Sequence, residues 1–316
     1  MSRHWILFAL LSLATQSFAA VELTKEENAP PLKEAQYAAL RNSICPPPGT
    51  PPLDYKVAFD TEKQRMAPFK VFDNLYFVGM KTVSAWVLTT SDGIILLDAM
   101  FHYNVKETVE DGIRKVGLDP ATIKYALITH AHNDHFGGAK YLQDTYGTRI
   151  VLASADWDHM QTWPQLGSPA PLPKRDIETK DGDKITLGDT TVTLRLTPGH
   201  TPGTLSFVFP VRDNGKEHWV GYWGGGAVSF LKPEEIVQYM DSARAFAASD
   251  PRIDVEMTNH ANYDGALLKY DALAKRGPGA PHPFVVGNDG FREWMDVIGQ
   301  CAGDVLAAKQ AEKKKE

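Results

Sequence analysis

Between Thr129 and Gly138 the chain reads Thr-His-Ala-His-Asn-Asp-His-Phe-Gly-Gly, which places His130, His132, Asp134 and His135 within six residues. Imidazole nitrogen and carboxylate oxygen in this mixture suit zinc, although iron and manganese accept the same donors. In extended backbone alternate residues project to one side, so His130 and His132 reach toward one cation. Asp134 and His135 follow at a turn into a helix, where they face a second. A purely structural role for this segment is disfavoured, because so many ionisable groups packed together would repel or desolvate one another when protonated.

One loop does not close a site, and the rest of the chain offers more donors. His200 sits in Thr197-Pro198-Gly199-His200-Thr201-Pro202-Gly203, a rigid turn framed by Pro-Gly pairs. His260 ends the run Met257-Thr258-Asn259-His260 after apolar residues. Taken alone, His260 reads equally as a hydrogen-bonded structural histidine. The chain has 10 histidines, and these five fall at ends of predicted strands. His4, His102, His159, His218 and His282 fall in the N-terminal apolar segment, in polar loops and strand starts, or between prolines.

The elements that must position these donors follow from periodicity. Strands are predicted over residues 69–78, 84–90 and 94–98, the last two joined by the hairpin signal Ser91-Asp92-Gly93. Val105, Val109, Ile113 and Val116 recur at helical steps and predict a helix over 105–115. Further strands are predicted over 125–129, 149–153, 184–187, 191–196, 204–209, 218–223 and 253–257. Helices are predicted over 138–146, 233–248, 265–275 and 290–309; the second opens with Pro233, Glu234 and Glu235, which suit a helix N-terminus. Strands followed by helix, twice over, predict an α/β fold: a four-layer αββα sandwich with helices outside two packed sheets.

Length and composition bound the rest. The 316 residues allow one large domain or two modest ones. With 33 Lys and Arg against 39 Asp and Glu the net charge is -6, and no basic cluster tracks a phosphate backbone, so nucleic-acid binding is disfavoured. The 43% apolar and 23% charged content is that of a globular protein. No apolar run reaches the ~20 residues of a stable membrane span.

Arg3 and His4, an apolar run over 5–14, and small residues at Ser17 and Ala19 form a secretory signal over residues 1–19, with an N-terminal anchor as the competing reading. The mature chain is then periplasmic or secreted. Pro30, Pro31, Pro46, Pro47, Pro48, Pro51 and Pro52 predict an extended surface arm within residues 20–67. The folded domain is placed at 68–310, followed by a charged tail over 311–316. Cys45 and Cys301 are the two cysteines. Export favours a bridge between them, worth at most about 5 kcal/mol by loop entropy, against two thiols buried apart.

The pattern His-x-His-x-Asp-His, then Gly-His-Thr-Pro-Gly, then a strand-end His resembles the metallo-β-lactamase superfamily over roughly residues 69–274. The resemblance implies an αββα sandwich with metals at one edge between the sheets. It implies that His130, His132 and His200 hold a first zinc and Asp134, His135 and His260 a second. Glyoxalase-like hydrolases, lactonases and phosphodiesterases place a bridging aspartate between the Gly-His-Thr-Pro-Gly turn and the last histidine, and the first β-lactamase subclass places a cysteine. This chain carries Tyr222-Trp223-Gly224-Gly225-Gly226 there, which is neither. It is in this similar to the third subclass of class B β-lactamases, whose second zinc is held by Asp, His and His alone.

That likeness implies attack of a zinc-bound hydroxide on a β-lactam carbonyl, with Asp134 orienting the water and no Ser or Cys nucleophile. Serines that hold the substrate carboxylate in that subclass are replaced here by glycines, with Ser229 as the nearest substitute. A related dizinc hydrolase of a lactone, thioester or other small ester or amide is therefore the second reading, and a metal-binding protein without catalysis the third. Either enzyme acts on a small-molecule substrate.

Overall fold

Burial along the strands sorts them into two sheets. The computed structural model describes residues 32–46, 54–162 and 169–314, so the secretory signal expected over 1–19 lies outside the described residues. The first sheet contains β1 (Phe69–Phe72), β2 (Leu75–Phe77), β3 (Trp86–Thr90), β4 (Gly93–Leu97), β5 (Ile123–Leu127), β6 (Arg149–Ala153) and β7 (Ile177–Thr179), side by side in chain order. Pairing is antiparallel from β1 to β4 and parallel from β4 to β7. The parallel strands β4 and β6 are nearly continuous apolar runs, as strands covered on both faces must be. The second sheet contains β8 (Lys184–Leu187), β9 (Thr190–Leu196), β10 (Leu205–Asp213), β11 (Lys216–Trp223) and β12 (Ile253–Thr258), also in chain order. Its pairs are antiparallel except β11 with β12.

Trp86, Leu88, Leu97 and Leu127 of the first sheet and Leu194, Phe207, Val220 and Met257 of the second form the core between the sheets. Of the helices α1 (Leu32–Ile44), α2 (Tyr55–Ala58), α3 (Asp111–Lys115), α4 (Asn133–Phe136), α5 (Ala139–Tyr146) and α6 (Ser154–Thr162), the last two and α3 cover the outer face of the first sheet. Of α7 (Pro233–Ala247), α8 (Ala266–Ala274) and α9 (Gly287–Lys313), α7 and α9 cover the second sheet, with Tyr239, Phe246, Phe291 and Trp294 packed against Trp223 and Val208. The four layers are those of the αββα sandwich anticipated from the strand and helix order.

Three local expectations need correction. The proline-rich arm is not extended throughout: residues 32–44 form α1, and Leu40 and Ile44 are fully buried on it. The prolines bracket this Ala-, Leu- and Glu-bearing stretch rather than interrupt it, and its residues favour helix. The strand expected over 69–78 breaks at Asp73 and Asn74 into the hairpin β1–β2. Asn74 Oδ1 accepts from the Arg212 amide at 3.0 Å, which fixes the turn against the second sheet. Finally, α6 was read as loop, although Trp157 and Met160 place an apolar face on the first sheet. Cys45 and Cys301 are joined, with their Cα atoms 5.3 Å apart.

Phe207 is fully buried between the sheets, its ring stacked 5.5 Å from that of Tyr222. Phe207→Ala removes the stacking contact and leaves a cavity, so unfolding free energy is expected to fall by about 3–5 kcal/mol. Urea denaturation of metal-free wild type and variant measures it.

Candidate metal centre

The donors gather where strands of both sheets end, at the carboxyl ends that open α/β sheets use for ligands. After β5 the chain bends at residues 129–132 rather than staying extended, with His132 itself at φ -91° and ψ 145°, and turns into α4 at Asn133. Gly138 lets that helix pair lie against the preceding loop, since a Cβ there would stand 2.2 Å from the Ala99 carbonyl oxygen. His200 comes from the turn between β9 and β10, and His260 from the loop after β12.

Two groups of three result: His130, His132 and His200, and Asp134, His135 and His260, with ligand atoms in each group within 4.8 Å of one another. His132 Nδ1 lies 3.1 Å from His130 Nε2 and 3.1 Å from His200 Nε2. Asp134 Oδ2 lies 3.2 Å from His135 Nε2. The rings of His130 and His135 are 4.3 Å apart, so the groups adjoin. Among the described residues the two groups share no member.

The outer ring nitrogens are tied, and this fixes which nitrogen faces inward. His200 Nδ1 donates to the Ala227 carbonyl at 3.0 Å, and His260 Nδ1 to the Thr82 carbonyl at 2.8 Å. His135 Nδ1 donates to Asp98 Oδ2 at 3.0 Å. His130 Nδ1 faces Thr129 Oγ1 at 3.1 Å, and that hydroxyl donates to the same Asp98 oxygen at 3.0 Å. Asp98 thus steadies one imidazole of each group. Asp156 ties the two donor loops: it accepts from the Ala131 amide at 2.8 Å, the Thr201 hydroxyl at 2.7 Å and the Gly203 amide at 2.6 Å.

Such inward lone pairs fit a cation. Asp134 Oδ1 adds a buried carboxylate oxygen that has no hydrogen-bond partner among the described residues, a costly state unless something binds there. Gly226 lies against His200, where a Cβ would come within 2.8 Å of the ring, so any side chain there would push the imidazole out of place. Ser229 lies exposed in the turn beyond it, beside Phe230, whose 48% exposed ring sits 5.5 Å from that of His200.

Burial, reinforced by neighbouring imidazoles, holds His130 and His200 well below the usual histidine range. Burial also brings His132 and His260 down to about 4. Burial opposes charge on His135 too, but Asp134 and Asp98 outweigh it and hold that ring up at about 10. Asp134 is held well below the usual carboxylate range because His135 overcomes its burial.

These shifts set a pH dependence for the metal-free protein. Unfolded histidines protonate near about 6.5, so below that pH the unfolded chain binds protons that His130, His132, His200 and His260 refuse. Burial raises Asp156 and brings Asp264 to about 7, which works the opposite way, but four imidazoles outnumber two carboxyls. His135 is protonated in both states in this range. Stability of metal-free protein is expected to fall as pH drops from about 6.5 to about 4. Urea midpoints across that window check it; a midpoint that rises instead would contradict the assigned protonation.

Fold and centre together define a metallo-hydrolase type of domain. Residues 78–213 match the family model of the metallo-beta-lactamase superfamily. Among solved structures it is similar to BJP-1, a subclass B3 metallo-beta-lactamase of Bradyrhizobium japonicum. The two are 27% identical with a TM-score of 0.69, over 82% of this chain and 99% of that one. SMB-1, at 23% identity, TM-score 0.68, and coverage of 78% of this chain and 98% of that one, shares the fold. Among curated proteins it is 34% identical to a hydroxyacylglutathione hydrolase of Acidiphilium cryptum over 50% of this chain and 65% of the relative. It is 28% identical to the uncharacterised YobT of Bacillus subtilis over 44% of this chain and 61% of the relative. The chain thus spans just under two thirds of the length of these curated relatives.

Sequence reasoning singled out the six donors but not the residues behind them. Asp98 ends the apolar run Gly93–Leu97 with a left-handed φ of 59°, and an acid closing a fully buried strand was the available signal. Asp156 and Phe230 carried no comparable mark. Asp98→Asn removes the negative charge shared by His135 and Thr129, and is expected to weaken metal affinity by about 10- to 100-fold. Competition against a chromophoric chelator measures the change.

Proposed function

We propose that this chain is a zinc-dependent hydrolase that opens the β-lactam ring, with two zinc ions held by the two groups described. The observation that carries the reading is the pair of adjoining donor groups with no shared carboxylate, where Gly226 lies bare against His200. The likeness to BJP-1 over nearly the whole of that chain supports it. Zinc, when bound with an open position, supplies Lewis acidity and brings water within reach of ionisation at neutral pH.

The protein's own residues supply orientation. Asp134 offers Oδ1 to an attacking water and would align it, being held ionised beside His135. The tied outer nitrogens of His130, His135, His200 and His260 keep the donors from turning as charge develops. Phe230 gives the mouth an apolar wall beside the three-histidine group, and we assign the neighbouring Ser229 hydroxyl to the substrate carboxylate. No serine or cysteine nucleophile is required.

A second reading has its own support. The 34% identical relative is named a hydroxyacylglutathione hydrolase, which favours a thioester, lactone or other small ester or amide. We also infer export through residues 1–19 to a periplasmic or secreted location; the Cys45–Cys301 bond suits an oxidising compartment.

A hydrolysis screen of zinc-loaded protein with a cephalosporin, a carbapenem, an acyl-lactone and an acyl-glutathione thioester decides among the substrates. Cleavage of the β-lactams, abolished by chelation and restored by zinc, is expected. Thioester or lactone cleavage alone would establish the second reading, and activity that survives metal removal would overturn both. Asp134→Ala is expected to lose the second zinc and to lower turnover by at least about 100-fold, given what misplacing a reacting group costs; metal analysis and initial rates check it.

A further inference from the structure

The loop that carries His260 is gripped from behind by two helices that the disulfide joins. From α1, Ser43 Oγ accepts a hydrogen bond from Asn262 Nδ2 at 2.7 Å, while its own proton goes to the Ala39 carbonyl at 2.8 Å. Gln36 Nε2 donates to the buried Glu256 on β12, four residues before His260. The same glutamine packs on Gly265, where a Cβ would stand 2.8 Å from its Cγ. From α9, Trp294 Nε1 donates to the Tyr263 carbonyl at 3.1 Å. The Tyr263 ring lies 5.0 Å from that of His260, and its amide donates to the His260 carbonyl at 2.9 Å. Cys45, one residue past the end of α1, is bonded to Cys301 in α9, and Leu40, Ile44 and Trp294 share one buried cluster.

The three-histidine group is held differently. His130 is tied through Thr129, His200 through Ala227, and their loops through Asp156. None of these partners belongs to α1 or α9, and the His260 loop reaches this group through one side chain, Asn259, whose Nδ2 donates to Thr129 Oγ1 at 3.1 Å.

We propose that α1 and the Cys45–Cys301 bond form a clamp that positions His260, so that the N-terminal helix sets the affinity of the second metal group far more than that of the first. This rests on the two-site reading above. Ser43, Gln36 and Trp294 act through the loop and are positioning residues. Orientation of one donor matters because outer partners of a ligand typically carry about 10- to 100-fold in metal affinity. Loosening the clamp frees the loop to sample other arrangements before any ion binds.

Cobalt(II) titration followed by absorption, with His260→Ala defining the second-step signal, tests this on wild type, the Cys45→Ser/Cys301→Ser pair, Ser43→Ala and Ser43→Thr. The first step is expected to shift by no more than about twofold throughout. The second is expected to weaken by about tenfold or more in the cysteine pair and in Ser43→Ala, and to recover in Ser43→Thr, which keeps the hydroxyl. Equal weakening of both steps would mark general destabilisation and overturn the clamp, as would an unchanged second step in both Ser43→Ala and the cysteine pair. Hydrogen exchange of metal-free protein provides the independent readout: the Tyr263 and Ala266 amides should exchange faster in Ser43→Ala and the cysteine pair than in wild type or Ser43→Thr. If wild type takes up fewer than two cobalt ions, the two-site reading fails. Wild-type exchange rates in both disrupted variants would overturn the clamp even then.

Discussion

The arrangement depends on a balance between inward-facing lone pairs and the outer hydrogen bonds that keep them inward. Three ring nitrogens of His130, His132 and His200 crowd one point, with 3.1 Å between neighbours. Free imidazoles would rotate to separate or take up protons. Here burial refuses the protons of His130 and His200, and the Thr129 hydroxyl and Ala227 carbonyl prevent their rotation, as Asp98 and the Thr82 carbonyl do for His135 and His260 in the other group. The cost of that order is met by the rigid strand ends on which it is built.

Asp98 and Asp156 divide this task. Asp98 joins the groups electrostatically, because one oxygen receives both His135 and the Thr129 hydroxyl that supports His130. Asp156 joins the backbone of two distant loops, accepting from Ala131 on one and Thr201 and Gly203 on the other. A carboxylate can do this where a neutral side chain cannot, since it accepts several hydrogen bonds without needing to donate one. Both are fully buried, which is tolerable because their oxygens are satisfied.

The fold was legible where periodicity is strong. β6 and β8 coincide with their expected spans, and β9, β12 and α7 differ by a residue at one end. The six donors were legible because ligand types cluster at strand ends. What stayed hidden was of two kinds. Helix α1 was masked by flanking prolines, which punctuate a segment without dictating what lies between them. The supporting acids, Asp98 and Asp156, are single residues whose meaning comes from partners 31 and 47 positions away, and local spacing carries no trace of such pairings.

The covalent link between Cys45 and Cys301 spans a sequence separation of 256 and closes nearly all of the sandwich into a ring. A protease that nicks one exposed turn inside it, such as Asn214-Gly215 between β10 and β11, opens the ring without releasing a fragment. Both pieces stay in one molecule, at an effective concentration high enough to keep the sheets paired. Single-hit cleavage is thereby turned from the loss of one part into a topological rearrangement.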